Sequence, residues 1–199
     1  MSALVDKQTE WRSKVATAAL GLISREGLKG ASLRAIAREL DSTTGVLTHY
    51  FRNKDELLVF LLETIMTRLA EIMAQAAVGT QGLERLKVMM LAILPTTPEL
   101  VTIWRVWLAF VGAALGDDGL IEEHTRHYIN FKAFVREELT LLEAAGEIRS
   151  GLDLDFEAAA WIATFDGIGA NMIAAPQSYS PEELDILVGR YLKNLESYG

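Results

Sequence analysis

The segment from Ser32 to Phe51, SLRAIARELDSTTGVLTHYF, constrains the fold of this chain more than any other stretch. Its first half places apolar side chains at positions i, i+3, i+4 and i+7, which is the spacing of one face of an α-helix. The Ser32 hydroxyl stands where it can cap that helix at its N-terminus. The apolar face predicts packing against another helix, and it consists of Leu33, Ile36, Ala37 and Leu40.

A turn and a second short helix are predicted to follow. Residues 41–43 are Asp, Ser and Thr, whose side chains compete for backbone hydrogen bonds and so favour a turn with a new N-cap. In the second helix Leu47 and Phe51, four residues apart, are expected to face inward. The outward and flanking positions are Thr44, Val46, Thr48 and His49. Such a surface suits a DNA groove, because hydroxyl groups can bond to base edges and phosphates, and valine can touch a thymine methyl group.

These residues resemble the helix-turn-helix of the TetR family of bacterial repressors. The family pattern is roughly I-A-x-x-A-G-V-S-x-G-x-L-Y-x-Y-F followed by x-x-K-x-x-L. Three positions depart from it, since Asp41 replaces the usual turn glycine, Ser42 an apolar valine and Thr48 the common tyrosine. Thr48 resembles the choline-responsive BetI-like members, whose helix ends S-H-Y-F. The matching residues are Ile36, Ala37, Thr43, Gly45, Leu47, His49, Tyr50, Phe51, Lys54 and Leu57.

The resemblance implies a site for an operator in double-stranded DNA. Asp41 would place an anion near that DNA. The residues expected to contact base edges are Thr44, Gly45 and Thr48. The residues expected to contact phosphates are Ser32, Thr43, His49, Tyr50 and Lys54.

The charge distribution is compatible with DNA binding, although the net charge is −8. Residues 1–58 carry nine Lys and Arg against seven Asp and Glu, whereas residues 59–199 carry ten against twenty. An acidic remainder behind a mildly basic segment would repel DNA except at the intended contact. Many cytoplasmic proteins are acidic, however, so charge alone does not establish this function.

Composition and motifs exclude several other classes. The longest apolar run, residues 106–116, has 11 residues, fewer than the roughly 18 of a membrane span. We expect a cytoplasmic protein without membrane association, since no secretory leader and no cysteine occur. The common motifs of hydrolases, nucleotide-binding enzymes and zinc proteases are missing, so no enzymatic activity is predicted.

The helical patterns predict an all-α fold of about nine helices. Residues 1–53 would form a DNA-binding domain of three short helices, and residues 54–199 a helical domain for ligand binding and dimerisation. Besides the two helices of the opening segment, helices are predicted near 9–26, 54–78, 83–94, 99–115, 120–145, 156–175 and 181–196.

A small-molecule effector is expected in the second domain, where most large aromatic residues occur. Aromatic faces beside a carboxylate suit a quaternary or cationic amine, and residues 104–110 and 165–169 resemble BetI-like C-terminal domains. The opposing interpretation is that these aromatic residues are ordinary core. The candidate ligand residues are Trp104, Trp107, Phe110, Tyr128, Phe131, Phe165 and Asp166, with Phe134 and Trp161 nearby in the sequence.

The helices near 156–175 and 181–196 resemble the pair through which this family forms homodimers. Patterning cannot separate such an interface from packing within one chain. A dimer would place two recognition helices about 34 Å apart, matching a pseudo-palindrome. Small residues that permit close helix approach are Ala158, Ala159, Ala160, Gly167, Gly169 and Ala170.

Two functional hypotheses follow. The first is a dimeric transcriptional repressor that a ligand releases from its operator. The alternative is an all-helical small-molecule carrier or enzyme with a vestigial DNA-binding segment, which Asp41 and the low local charge favour. No cofactor or metal is predicted, because the spacing of Glu123, His124 and His127 is more typical of a solvated helix face.

Overall fold

The computed structural model describes residues 2–196 and, in the first helix, the side chains of residues 10–27 and 30. Nine α-helices occupy most of this part of the chain, so the predicted all-α fold is confirmed. Met1 and residues 197–199, which the predicted domains include, lie outside the described residues. The helices are α1 (Ser2–Gly30), α2 (Leu33–Glu39), α3 (Thr44–Tyr50), α4 (Lys54–Ala76), α5 (Gly82–Ala92), α6 (Pro98–Ala114), α7 (Asp118–Ala144), α8 (Leu154–Ala174) and α9 (Pro181–Lys193).

Helix α1 is interrupted at Gly27, whose φ of 70° and ψ of 179° are not helical. Glycine adopts this positive φ at little steric cost because it has no Cβ. The sequence predicts that the first helix ends here. The chain does leave the helical conformation at Gly27, but it then resumes helical turns as far as Gly30.

The described residues form two compact units. The first comprises residues 2–67 and Val101–His124, and the second comprises Arg68–Leu100 and residues 125–196. In the first unit α2 packs against both α1 and α3. Its core is built from the apolar faces predicted for these helices, and it includes Val15, Leu22, Ile36, Leu47, Phe51, Leu61 and Ile65.

In the second unit α5 packs against α9. One ion pair joins α5 to α9, Lys87 Nζ to Asp185 Oδ1 at 2.7 Å, and a second joins α5 to α7, Arg85 Nε to Glu138 Oε2 at 3.0 Å. Arg85 donates two hydrogen bonds to the Glu138 carboxylate. This paired contact fixes the orientation of α5 on α7. The core of this unit includes Leu86, Met89, Met90, Val135, Leu139, Trp161 and Val188.

Side chains cap the N-termini of α8 and α4. Asp153 caps α8 by accepting from Phe156 N at 3.1 Å. Asn53 caps α4, but the Glu56 carboxylate reaches past it and accepts from Arg52 N at 2.7 Å. This contact is supported by a second bond from Arg52 Nε at 3.3 Å.

The small residues of α8 differ in their burial. Ala158 and Gly169 are buried in their own unit. Gly167 is exposed, and a Cβ there would meet no atom within 4 Å. The chain's own packing therefore explains part of this stripe of small residues but not Gly167.

No helix in the described part of the chain is long and apolar enough to cross a membrane.

Candidate DNA interface

The predicted N-caps of α2 and α3 are both formed. Ser32 Oγ accepts a hydrogen bond from Ala35 N at 3.1 Å, and Thr43 Oγ1 accepts one from Val46 N at 3.4 Å. A hydroxyl group has one hydrogen and two acceptor lone pairs. Each cap therefore uses a lone pair of its oxygen and leaves the hydroxyl hydrogen available for a further acceptor.

Asp41 turns the chain between α2 and α3. Its φ of 47° lies in the left-handed region, where glycine is favoured and Asp or Asn is better tolerated than other L-residues. The turn is closed by Ser42 N, which donates to Ala37 O at 2.8 Å. The family pattern has glycine at this position because the turn requires a positive φ, and aspartate adopts that conformation less readily than glycine does.

Helix α3 separates into a buried face and an exposed face. Leu47 and the following Phe51 are 0% and 1% exposed, which confirms that they face inward. Tyr50 is half-buried. The exposed residues are Thr44, Gly45, Val46, Thr48 and His49.

Gly45 lies on this exposed face for a reason other than backbone conformation. Its φ is outside the left-handed region, and a Cβ would meet only Thr43 Oγ1, at 3.8 Å. That distance is an ordinary van der Waals contact, so the described part of the chain does not require glycine here. The missing side chain leaves room for another molecule to approach the helix backbone.

Aromatic contacts hold α3 against α1. The Tyr50 ring lies 6.3 Å from the Trp11 ring and 5.3 Å from the His49 ring, measured between centroids. Tyr50 therefore packs against the first helix. These contacts restrict the side chains of two candidate phosphate-binding residues.

Basic residues near α3 are also held by specific contacts. The Arg12 guanidinium lies 4.7 Å from the Phe60 ring centroid and 5.8 Å from that of Phe51, a favourable cation–π geometry. Lys54 begins α4. The sequence alone does not indicate this contact of Arg12, because the approach of Phe51 and Phe60 depends on tertiary packing.

The candidate effector residues divide between the two units. Trp104, Trp107 and Phe110 belong to the first unit, in which Trp104 and Phe110 are buried and the two tryptophan rings lie 5.3 Å apart. The remaining four belong to the second unit. Among those, Tyr128 is at the surface, 37% exposed.

In the second unit Trp161 joins two of the predicted aromatic residues. Its ring lies 5.6 Å from Phe131 and is stacked 5.7 Å from Phe165. The Trp161 side chain is buried, and its Nε1 has no hydrogen-bond partner among the described residues. The sequence pointed to this residue only as one aromatic among several, since its unpaired donor is a consequence of tertiary packing.

Asp166 is largely enclosed by the second unit. Burial raises the pKa of its carboxyl group to about 6, because an ionised carboxylate loses its hydration there. A cation in contact with this carboxylate would offset the loss. No group of three or more His, Asp or Glu side chains within the described residues could hold a metal ion.

Two family models match this chain. The model for bacterial regulatory proteins of the tetR family matches residues 16–59, and the model for the C-terminal part of BetI-type transcriptional repressors matches residues 82–196. The second match alone spans more than half of the chain. The chain therefore belongs to the TetR family of bacterial regulatory proteins, with a C-terminal part of the BetI type.

Curated relatives carry the same assignment. The transcriptional regulator PksA of Bacillus subtilis is 25% identical over 185 residues, covering 92% of this chain and 89% of that protein. The regulator BetI of Burkholderia mallei is 30% identical over 101 residues, covering 50% of this chain and 52% of its own length. The chain thus matches about half the length of this BetI relative. These relatives are transcriptional regulators, which confirms the predicted class of protein and argues against an enzyme.

Solved structures share the fold. A transcriptional regulator from Rhodococcus sp. Rha1 superposes with a TM-score of 0.80 at 25% identity, covering 94% of this chain and 99% of that one. A chain from Saccharomonospora viridis, solved in complex with choline, gives 0.84 at 20% identity with coverages of 96% and 100%. FadR from Bacillus subtilis, solved with stearoyl-CoA, gives 0.76 at 20% identity with coverages of 93% and 97%.

Proposed function

We propose that this regulator is a dimeric repressor that binds a pseudo-palindromic operator through α3 and is released by a small cationic effector. The observation that carries the DNA-binding part is the exposed face of α3, where Gly45 permits close approach and is flanked by hydroxyl groups. Ser32 and Thr43 have hydroxyl hydrogens left for phosphates. We propose a cytoplasmic location, since a bacterial DNA-binding regulator acts where the DNA lies.

The proposed base contacts come from Thr44, Gly45 and Thr48. The proposed phosphate contacts come from Ser32, Thr43, His49, Tyr50 and Lys54. Contacts of the second kind position a protein on DNA without specifying its sequence. Asp41 opposes these contacts with a negative charge. The affinity is expected to fall as salt is added, because contacts with phosphates release counterions.

DNA binding is tested by titrating the full chain onto the duplex just upstream of its own gene, at two salt concentrations and with random duplex as competitor. Tight binding that resists the competitor is expected. Tyr50→Phe combined with Lys54→Gln should weaken it, because one phosphate donor and one positive charge are lost. The matched control is Tyr179→Phe with Lys193→Gln, which makes the same changes in the second unit. Equal affinity of both double variants would contradict the proposed role of α3 and α4.

Dimerisation is proposed through α8 and α9. Phe156 and Ile186 are 66% and 52% exposed, although α9 already buries Leu184, Val188 and Leu192 in its own unit. Exposed apolar side chains on both helices and the open space at Gly167 favour contact with a second copy.

The effector is proposed to be a quaternary or protonated amine. Asp166 can supply the anion, and the unpaired Trp161 Nε1 can donate to an oxygen of the ligand. The aromatic candidates in the same unit are Tyr128, Phe131 and Phe165. The choline in the Saccharomonospora viridis structure is an example of this chemical class.

Calorimetry with choline and with 3,3-dimethylbutan-1-ol, its uncharged carbon analogue, tests the effector class. Choline should bind and the analogue should not, since only choline pairs with the Asp166 carboxylate. Affinity should fall as the pH is lowered through about 6, where that carboxyl group takes up a proton. Equal binding of both compounds would rule out a cation site.

A further inference from the structure

The exposed face of α3 lacks the side chains that most often identify bases through paired hydrogen bonds. Helix α3 has the sequence TGVLTHY, which contains no Arg, Lys, Asn or Gln. Arg or Lys binds guanine, and Asn or Gln binds adenine, through two hydrogen bonds at once. Any discrimination between bases by α3 therefore comes from its other side chains.

Val46 can offer only methyl groups to the DNA. Its side chain is 41% exposed, so α3 presents apolar surface to solvent at this position. The Val46 backbone N–H is already bonded to Thr43. Covering the exposed methyl groups with an apolar part of a base would remove them from water, which is favourable.

Thr48 also presents its methyl group rather than a hydrogen-bond donor. Thr48 Oγ1 donates its hydrogen to Gly45 O at 3.1 Å. Ser32 and Thr43 differ from Thr48, since their oxygens accept from backbone N–H groups and keep their hydrogens. The hydroxyl groups of Ser32 and Thr43 can therefore donate to phosphates, whereas the hydroxyl hydrogen of Thr48 is already used and cannot be donated to guanine.

The two methyl-bearing side chains lie on different sides of the exposed face. At about 100° per residue, Val46 and Thr48 flank the line through Gly45 and His49. A helix in the major groove would therefore present a methyl group towards either side of the groove. Because Gly45 has no side chain, both can come close to the base edges.

We infer that α3 identifies its operator by packing the methyl groups of Val46 and Thr48 against the C5-methyl groups of thymines in the major groove. Thymine is the base that carries such a methyl group there. This inference rests on the proposed function, namely that α3 binds duplex DNA. It assigns the operator half-site a thymine at each of the positions facing these two residues.

The test begins by selecting duplexes from a random library with the full chain. Each thymine of the selected half-site is then replaced by deoxyuridine, which keeps the base pairing and lacks only the methyl group. We expect a loss of affinity of about threefold to fourfold at the contacted thymines, as for one methyl group returned to water. Replacement of guanines by 7-deazaguanine, which lacks the N7 acceptor, should leave the affinity unchanged.

Variants assign the contacts to individual side chains. Val46→Ala should abolish the deoxyuridine effect at one thymine, whereas Val78→Ala, at a site 70% exposed outside α3, should retain it. Thr48→Val keeps the methyl group and should bind as the wild type does. Thr48→Ser keeps the hydroxyl and should bind more weakly.

The outcomes separate this inference from the function on which it rests. If a duplex is enriched but every thymine tolerates deoxyuridine, the methyl contacts are overturned and DNA binding stands. If 7-deazaguanine weakens binding more than deoxyuridine does, methyl packing is not what identifies the operator, and DNA binding again stands. A loss of affinity in Thr48→Val that matches or exceeds that in Thr48→Ser would equally overturn them. If no duplex is enriched, the proposed function fails and the inference fails with it.

Discussion

Asp41 illustrates how one residue can carry both a conformational and an electrostatic consequence. Its positive φ of 47° costs an L-residue about 1 to 2 kcal/mol in general, and less for Asp or Asn. Its negative charge lies in the turn that leads into α3. Asparagine would keep the tolerance for this φ and remove the charge.

Asp41→Asn is therefore expected to raise the affinity for the operator while leaving the free energy of unfolding nearly unchanged. The gain should shrink as salt is added, because it is an electrostatic effect on phosphate contacts. Fluorescence titrations at low and high salt measure it. Glu137→Gln, which makes the same change of charge on α7, is the control. A salt-independent gain would argue against a charge effect.

The raised pKa of Asp166 predicts that the free energy of unfolding depends on pH. Its pKa is about 6 in the folded chain against a usual value of 3.8, so the folded state binds the proton more tightly than the unfolded state. The stabilising contribution is complete below about pH 4 and is lost as the pH rises through about 6. The expected loss is about 2 to 3 kcal/mol.

Asp166→Asn should remove this component. Denaturant unfolding at pH 4 and at pH 7 measures it as the difference between wild type and variant at each pH. Asp155→Asn, which removes an exposed carboxylate from the same helix, should retain the pH dependence of the wild type. If wild type and Asp166→Asn show the same change with pH, the carboxylate is not the group responsible.

At the scale of helices, the capping box of α9 joins two side chains in one local structure. Ser180 Oγ accepts from Glu183 N at 3.2 Å, and Ser180 N donates to Glu183 Oε2 at 2.7 Å. Pro181 adds a backbone angle suited to the first helical turn. Because α9 packs on α5, the start of this helix contributes to the stability of the second unit.

Ser180→Ala is expected to lower the free energy of unfolding by about 1 kcal/mol. Glu183→Ala should also destabilise α9, and the double variant should lose less than the sum of the two, since either change disrupts the same box. Chemical denaturation of the three variants gives the coupling. Ser150→Ala, at an exposed position outside the helices, is the control. Strict additivity would contradict a shared capping structure.

At the scale of the whole molecule, the exposed apolar residues of α8 and α9 lead to a prediction about assembly. Ile186→Asp should shift the protein from dimer to monomer with its helical content intact, because a charge would be buried at the proposed interface. Sedimentation measures the mass, and circular dichroism measures the fold. The monomeric variant should still bind a single half-site, but its affinity for the full palindrome should no longer exceed its affinity for one half-site.

Leu141→Asp is the matched control for this prediction. Leu141 is 62% exposed on α7, outside the proposed interface, so the variant should remain dimeric. A monomeric Leu141→Asp together with a dimeric Ile186→Asp would place the interface elsewhere on the chain.

Local sequence determined much of this molecule. The helix periodicity, the caps at Ser32, Thr43 and Ser180, and the inward positions of Leu47 and Phe51 were all predictable. Each depends on side chains within about four residues of one another, which is the range of helical contacts. The motif from Ile36 to Leu57 likewise indicated the family, because it lies within one short stretch.

The tertiary structure decided what depends on distant parts of the chain. Burial raises the pKa of Asp166, packing of Phe131 and Phe165 encloses Trp161, and Phe60 brings Arg12 beside Phe51. Periodicity cannot predict such contacts, since it identifies an apolar face without identifying its partner. Desolvation and unpaired donors arise only when that partner is in place, and these are the properties on which the proposed effector site depends.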